Sequence, residues 1–154
     1  MAVLISGSLA YDYIMNFPDS FRNHILPDQI HILNVCFVVD SLKRNFGGVA
    51  GNIAYTMNLL GGEPIILSPL GSDGQDYFAY LKKHNLNVDY IKFSKEKLTS
   101  SAHITTDKED NQITAFYNGA LAEAINLSVS EIKDKIEFAS FWVGEIKANS
   151  ILSF

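Results

Sequence analysis

An α/β domain built on a mostly parallel sheet is the fold class this sequence predicts. Two observations carry the prediction. Short apolar, β-leaning runs alternate with stretches at helical spacing on both sides of one glycine-rich loop, Gly47-Gly48-Val49-Ala50-Gly51-Asn52-Ile53-Ala54. Such alternation marks a parallel sheet with helices packed on it. The 154 residues, 47% hydrophobic and 19% charged, also suffice for one domain with its own core.

The elements follow in chain order. Residues 2–6 are a short apolar run ending at Gly7-Ser8, a buried first strand that delivers a loop. Residues 11–17 are again β-like. Residues 19–28, with Pro18 before them and Pro27 inside, read as irregular with one short helical turn. Residues 30–40 are rich in Ile, Leu, Val and Phe and read as a second strand region. Apolar residues at 49, 50, 53, 54, 57 and 60 have helical spacing, and Gly61-Gly62 ends that helix as a C-cap. Residues 64–67 form the next strand. Gly71-Ser72-Asp73 turns the chain, with Ser72 or Asp73 capping a helix that runs to about residue 84. Residues 88–93 are a strand. Residues 102–106 and 112–117 flank the polar turn Asp107-Lys108-Glu109-Asp110-Asn111 and predict a β-hairpin. Ser128 or Ser130 starts a helix to about residue 136, Ser128 and Glu131 fitting a capping box. Residues 138–143 are a last strand. The segments near 11–40 and 100–117 read as antiparallel additions.

Composition narrows the function classes. The formal charge is −5, and the 12 Lys and Arg residues are scattered without a basic stripe, which argues against nucleic-acid binding. The single cysteine, Cys36, excludes an internal disulfide framework and fits a reducing compartment. The apolar N-terminal run is too short for a signal sequence, and no run reaches the roughly 18 apolar residues of a membrane span. A soluble cytoplasmic protein with no membrane partner is the expectation. The four histidines, His24, His31, His84 and His103, show no helical ligand spacing, and Gly71-Ser72-Asp73-Gly74 lacks the alternating acids of a metal loop, so no metal site is expected.

Three groups of residues point to small-molecule binding. Asp12, in Gly7-Ser8-Leu9-Ala10-Tyr11-Asp12, follows the first strand, where open α/β sheets bind their ligands. Its carboxylate can accept two hydrogen bonds from neighbouring hydroxyls, as a sugar cis-diol requires; a turn-forming surface Asp is the plainer reading. The Gly47–Ala54 stretch has neither the Lys-Ser/Thr of a phosphate loop nor a Gly-x-Gly dinucleotide fingerprint. What remains is a glycine turn whose missing Cβ atoms let a ring lie on the backbone, with Asn52 bonding to hydroxyls, or else a plain strand-to-helix turn. Phe116 and Tyr117 follow the polar hairpin turn, and an aromatic there stacks on a flat base or packs on the core. Cys36 has no adjacent base and reads as a strand residue.

The pattern Gly47-Gly48-x-Ala50-x-Asn52-x-Ala54, then six residues, Gly61, nine residues and Gly71 resembles the N-terminal signature of ribokinase-like (PfkB-type) sugar and nucleoside kinases. Within that family the chain is most similar to bacterial adenosine kinases. The stretches 7–12, 14–18, 26–31 and Gln112-Ile113-Thr114-Ala115-Phe116-Tyr117-Asn118-Gly119-Ala120 carry that likeness, which covers roughly residues 1 to 140. The resemblance implies a doubly wound, mostly parallel sheet with a small β lid drawn from segments about 11–40 and 100–117. It also implies ATP-dependent, Mg²⁺-assisted phosphorylation of a hydroxymethyl oxygen, the ribose 5′-hydroxyl in adenosine kinases. Carried over by position, Asp12 holds ribose hydroxyls, Gly47, Gly48 and Asn52 complete the sugar contacts, Ser8 lines the pocket and Phe116 stacks on adenine. Cys36 stands where relatives place a small polar lid residue. Such lids often mediate homodimers.

The resemblance also implies that residues 1–154 are an N-terminal, truncated portion of a kinase domain. The family's second signature, Asp-Thr-x-Gly-Ala-Gly-Asp, supplies the catalytic Asp and an anion-stabilising helix N-terminus, and it is expected beyond residue 154. No catalytic residue is expected in this chain, and the ATP-binding half goes with that signature. Residues 144–150 depart from the family's Asn-Asp-Pro-like turn, with Glu145 a candidate sugar-facing acid. Two other readings stay open: a kinase of the same family acting on ribose, fructose or a sugar phosphate, and a non-catalytic nucleoside-binding or dimerising fragment.

Overall fold

The computed structural model describes residues 2–132 and 139–143. Four parallel strands form the first sheet, in the order β5-β4-β1-β8. They are β1 (Ala2–Ser6), β4 (Glu63–Leu70), β5 (Ile91–Phe93) and β8 (Ala139–Val143). β1 is central because it is apolar on both faces. Ile5 joins Leu9, Ala50, Ala54, Ile66, Leu70 and Leu81 on the side covered by α1 (Val49–Leu59) and α2 (Gln75–Lys83). Leu4 points the other way and packs with Leu67, Ala124, Leu127 and Ile132, under a 3₁₀ segment at Gly119–Asn126 that the sequence did not announce.

The second sheet has the order β3-β2-β6-β7, built from β2 (Ala10–Asn16), β3 (Ser41–Gly47), β6 (Ser100–Thr106) and β7 (Gln112–Tyr117). β2 pairs antiparallel with β3 and parallel with β6, and β6 and β7 form the expected hairpin. One end of this sheet is packed on the core through Tyr11, Tyr13 and Phe46.

Both helices end in the same way. Past α1, Gly61 takes φ +80°, with Gly61 N–H bonded to the Asn58 carbonyl and Gly62 N–H to that of Met57. Past α2, Asn85 at φ 58° repeats the arrangement, with Asn85 N–H on Lys82 and Leu86 N–H on Leu81. This is the paired 5→2 and 6→1 bonding of a Schellman cap.

Several expectations are corrected. The strand expected over residues 30–40 is absent: Pro27–Ile32 is a 3₁₀ turn and residues 33–39 have no regular structure. The strand lies later, at Ser41–Gly47, where in-register pairing with β2 leads it straight into the glycine loop. Asp73 does not cap α2. Gly74 holds the N-cap position, and the Asp73 carboxylate accepts from Thr99 N–H and Thr99 Oγ1, both at 2.7 Å. The strand expected over 88–93 is confined to Ile91–Phe93, after an isolated bridge between Ile65 and Asn87. Ser128 caps a short 3₁₀ turn, Val129–Glu131, by accepting from Ser130 N–H. The remainder of the helix expected to about residue 136, and Glu145 with residues 144–150, lie outside the described residues.

Candidate functional site

The glycine loop is stitched to the turn between β1 and β2. Ser8 is 4% exposed. Its hydroxyl accepts from Val49 N–H and its carbonyl from Ala50 N–H, both at 3.0 Å. A residue 41 positions away thus satisfies two of the N–H groups that open α1. Gly48, at φ +89°, allows this approach: a Cβ there would stand 2.5 Å from the Ser8 carbonyl oxygen and 2.7 Å from Ala10 N.

Each glycine of the loop answers to a different neighbour. The Asp12 carboxylate lies in the space a Gly47 side chain would fill. The Tyr77 hydroxyl fills the corresponding space at Gly51 and donates to the Gly47 carbonyl at 2.6 Å. The protein's own atoms therefore occupy the Cβ directions at Gly47, Gly48 and Gly51, where the sequence suggests room for a ligand ring.

Asp12 and Asn52 border the same dipeptide. Asp12 leans over Gly47, while Asn52, exposed on the first turn of α1, bonds its N–H to the Gly48 carbonyl at 3.0 Å. The Asp12 carboxylate is half-buried, and that burial holds its pKa above the usual carboxylate value. No hydrogen bond from the described residues satisfies it. A partly desolvated carboxylate without a donor is an incomplete arrangement, which two vicinal hydroxyls would complete.

Register adds Phe116. Asp12 on β2 pairs with Asn45 on β3 and with Ala102 on β6, and Ala102 pairs with Phe116 on β7. Paired residues project from the same face. Asn45, Asp12, Ala102 and Phe116 thus form one row, with Phe116 two strand spacings, roughly 10 Å, from Asp12. Phe116 is 55% exposed, so it is not a core residue. Cys36 is not on a strand. It is exposed in the irregular segment before β3, whose neighbouring Phe37 packs on Phe17 and Phe21. Asn45 is not legible in the sequence because residues 42–45 of its strand are all exposed and show no alternation.

Residues 15–143 match the family model described as pfkB family carbohydrate kinase. The chain belongs to the pfkB family of carbohydrate kinases. By sequence this pfkB-family chain is 34% identical over 119 residues to a nucleoside kinase of Methanocaldococcus jannaschii, covering 74% of the chain and 35% of that protein. Its fold is ribokinase-like. It superposes on the Burkholderia thailandensis nucleoside kinase in complex with inosine with a TM-score of 0.75 and 41% identity, covering 89% of this chain and 43% of that one. On the same protein in complex with ADP-inosine the TM-score is 0.67 at 45% identity, with the same coverage. The M. jannaschii nucleoside kinase, described as an archaeal member of the ribokinase family, gives 0.74 at 29% identity over 94% of this chain and 45% of that one. The chain therefore spans 35% to 45% of the length of these relatives.

Proposed function

We propose that this chain is the nucleoside-binding portion of an ATP-dependent nucleoside kinase, with adenosine as substrate and the ribose 5′-hydroxyl as acceptor. The observation that carries the reading is the row that puts Asp12, a carboxylate with no donor among the described residues, and an exposed aromatic, Phe116, on one face. The distance between them suits a pentose at one end and a base at the other. Asp12 takes two ribose hydroxyls, Asn52 completes their hydrogen bonds beside Gly48, Ser8 closes the floor, and Phe116 stacks on the base. The second sheet then acts as a lid, and Cys36 stands at its rim. The similarity to nucleoside kinases, one of them bound to inosine, supports a nucleoside over a plain sugar.

ATP and Mg²⁺ belong to the proposal through the family. The described residues do not fit them: the glycine loop carries no lysine, and Asp12, Ser8 and Tyr77 fill its Cβ directions. Phosphoryl transfer falls to the rest of such a kinase, and the chain alone is expected to bind without phosphorylating. No helix among the described residues is long and apolar enough to cross a membrane; a cytoplasmic location remains part of the proposal. So does a homodimer through the second sheet, which exposes Leu42 and Ile113 in one row on the face opposite Asp12. Analytical ultracentrifugation of Leu42→Lys against the parent chain tests that pairing.

Isothermal titration of the chain with adenosine, inosine, ribose and fructose tests the substrate. Nucleosides are expected to bind about fivefold to tenfold tighter than ribose, the worth of one aromatic stack. Equal affinity for ribose or fructose overturns the nucleoside reading in favour of a sugar kinase. ADP production from ATP and adenosine by the chain overturns its assignment as a binding portion.

A further inference from the structure

We propose that Asp76 is a positioning residue whose carboxylate clasps β2 and β3 to the first turn of α2 and thereby sets where Asp12 and Asn45 stand. One carboxylate oxygen of Asp76 accepts from the Tyr11 hydroxyl and from Tyr77 N–H, the latter at 2.8 Å. The other oxygen takes the Arg44 guanidinium. Arg44 also lies over the Tyr11 ring, 4.7 Å from its centroid. One residue of α2 therefore holds two strands of the second sheet at once.

The position of the clasp along the chain matters. Tyr11 immediately precedes Asp12, and Arg44 immediately precedes Asn45. Successive strand residues point to opposite faces, so Tyr11 and Arg44 lie on the face behind the Asp12–Asn45 row, one register step to either side of it. The next residue on α2, Tyr77, donates to the Gly47 carbonyl and fills the space beside Gly51. The first turn of α2 thus touches β2, β3 and the glycine loop, the three places from which Asp12, Asn45 and Asn52 arise. Packing alone does not account for this: a Phe at position 11 would fill the same buried space without the hydroxyl.

Charge is consistent with the geometry. Burial by itself raises the Asp76 carboxyl, but the Tyr11 hydrogen bond and the Arg44 charge bring it below the usual value, so the clasp is ionised at neutral pH. A ligand group held within a fraction of an ångström by such support loses affinity steeply when the support is released.

The binding arm of the test rests on the nucleoside reading; the exchange arm stands without it. Asp76→Asn, Tyr11→Phe, their combination and Asp76→Glu are compared by hydrogen–deuterium exchange and by adenosine titration. Expected are faster exchange in residues 10–16 and 41–47 with β1 and β4 unchanged, and an adenosine affinity about tenfold lower. The double variant is expected to be no weaker than Asp76→Asn, because both changes break one linkage, and Asp76→Glu is expected to recover part of the loss. Exchange that rises equally in β1 and β4, losses that add, or adenosine affinity unchanged in all variants overturns the proposal. A parent chain that binds no adenosine defeats the nucleoside reading, and exchange then decides the clasp alone. Tyr11→Phe keeps the buried ring, so an unfolded Asp76→Asn does not end the test.

Discussion

Asp12 and Phe116 face the same side of the second sheet in one cross-strand row, separated by the methyl group of Ala102. A small residue between a carboxylate and an aromatic ring leaves a trough, open to a flat molecule. Phe116→Ala is expected to weaken adenosine binding by about 1 kcal/mol, roughly fivefold. Ribose binding and the melting temperature should stay unchanged, since the ring is exposed. Calorimetric titration with both ligands reads the difference.

Asp12→Asn should separate binding from stability. Two charge-assisted hydrogen bonds become weaker ones, and adenosine affinity should fall by about 2 kcal/mol, roughly thirtyfold. The free chain should gain stability. Burial raises the Asp12 carboxyl, so ionising it opposes folding once the pH has climbed through the folded pKa. The gain of Asp12→Asn should therefore be full at neutral pH and vanish below the ordinary carboxylate value. Thermal unfolding of both chains between about pH 3 and 8 checks the sign.

Gly48 and Gly61 have nearly the same φ, +89° and +80°, in different surroundings. Alanine at 61 meets nothing within 4 Å and should cost about 1 kcal/mol of left-handed backbone strain. Alanine at 48 adds a collision with the Ser8 carbonyl and should cost about 3 kcal/mol. Denaturant midpoints of the two variants give the ranking, and an equal loss would contradict the close approach.

Acid should weaken the support of the β6–β7 turn as pH falls towards 2. Burial alone would raise the Asp107 carboxyl, but the N–H groups of Phe21, Asn111 and Glu109 and the Asn111 side chain bring it down to about 2. A depressed carboxyl stabilises the fold above its unfolded pKa, and that contribution disappears as pH falls through the folded one. The melting temperature should therefore drop between about pH 4 and 2, and Asp107→Asn should flatten that slope. Asp19, held near 2 by His24, Ser20 and Asn23, retains part of it.

What the sequence made legible has a common property: period and polarity agreed with the final environment. Residues 2–6 are uniformly apolar and become a strand packed on both faces. The spacing over 49–60 matches α1, and Gly61 ends it. β3 was illegible because Leu42, Lys43, Arg44 and Asn45 are all exposed, so no alternation betrays a buried face. The apolar run before it, 30–40, imitates a strand but joins neither sheet of the described residues. Asp73 looked like a helix cap, yet Thr99, distant in sequence, offers two donors where the cap would have had one. The grouping of Asp12 with the glycine loop, at Gly47, came with the family pattern and not with any spacing in the chain. That of Asp12 with Phe116 is a matter of register, which no local pattern encodes.

The parallel pairing of β2 with β6 joins Ala10 to Ser100. During synthesis the early β2–β3 ribbon must wait, one edge bare, until the chain as far as Thr106 has emerged from the ribosome. Non-local strand pairing of this kind is slow to form and invites wrong partners meanwhile. The trough that would take a ligand is accordingly among the last parts of this polypeptide to assemble, and conditions that stall translation between the two strands should favour aggregation over maturation.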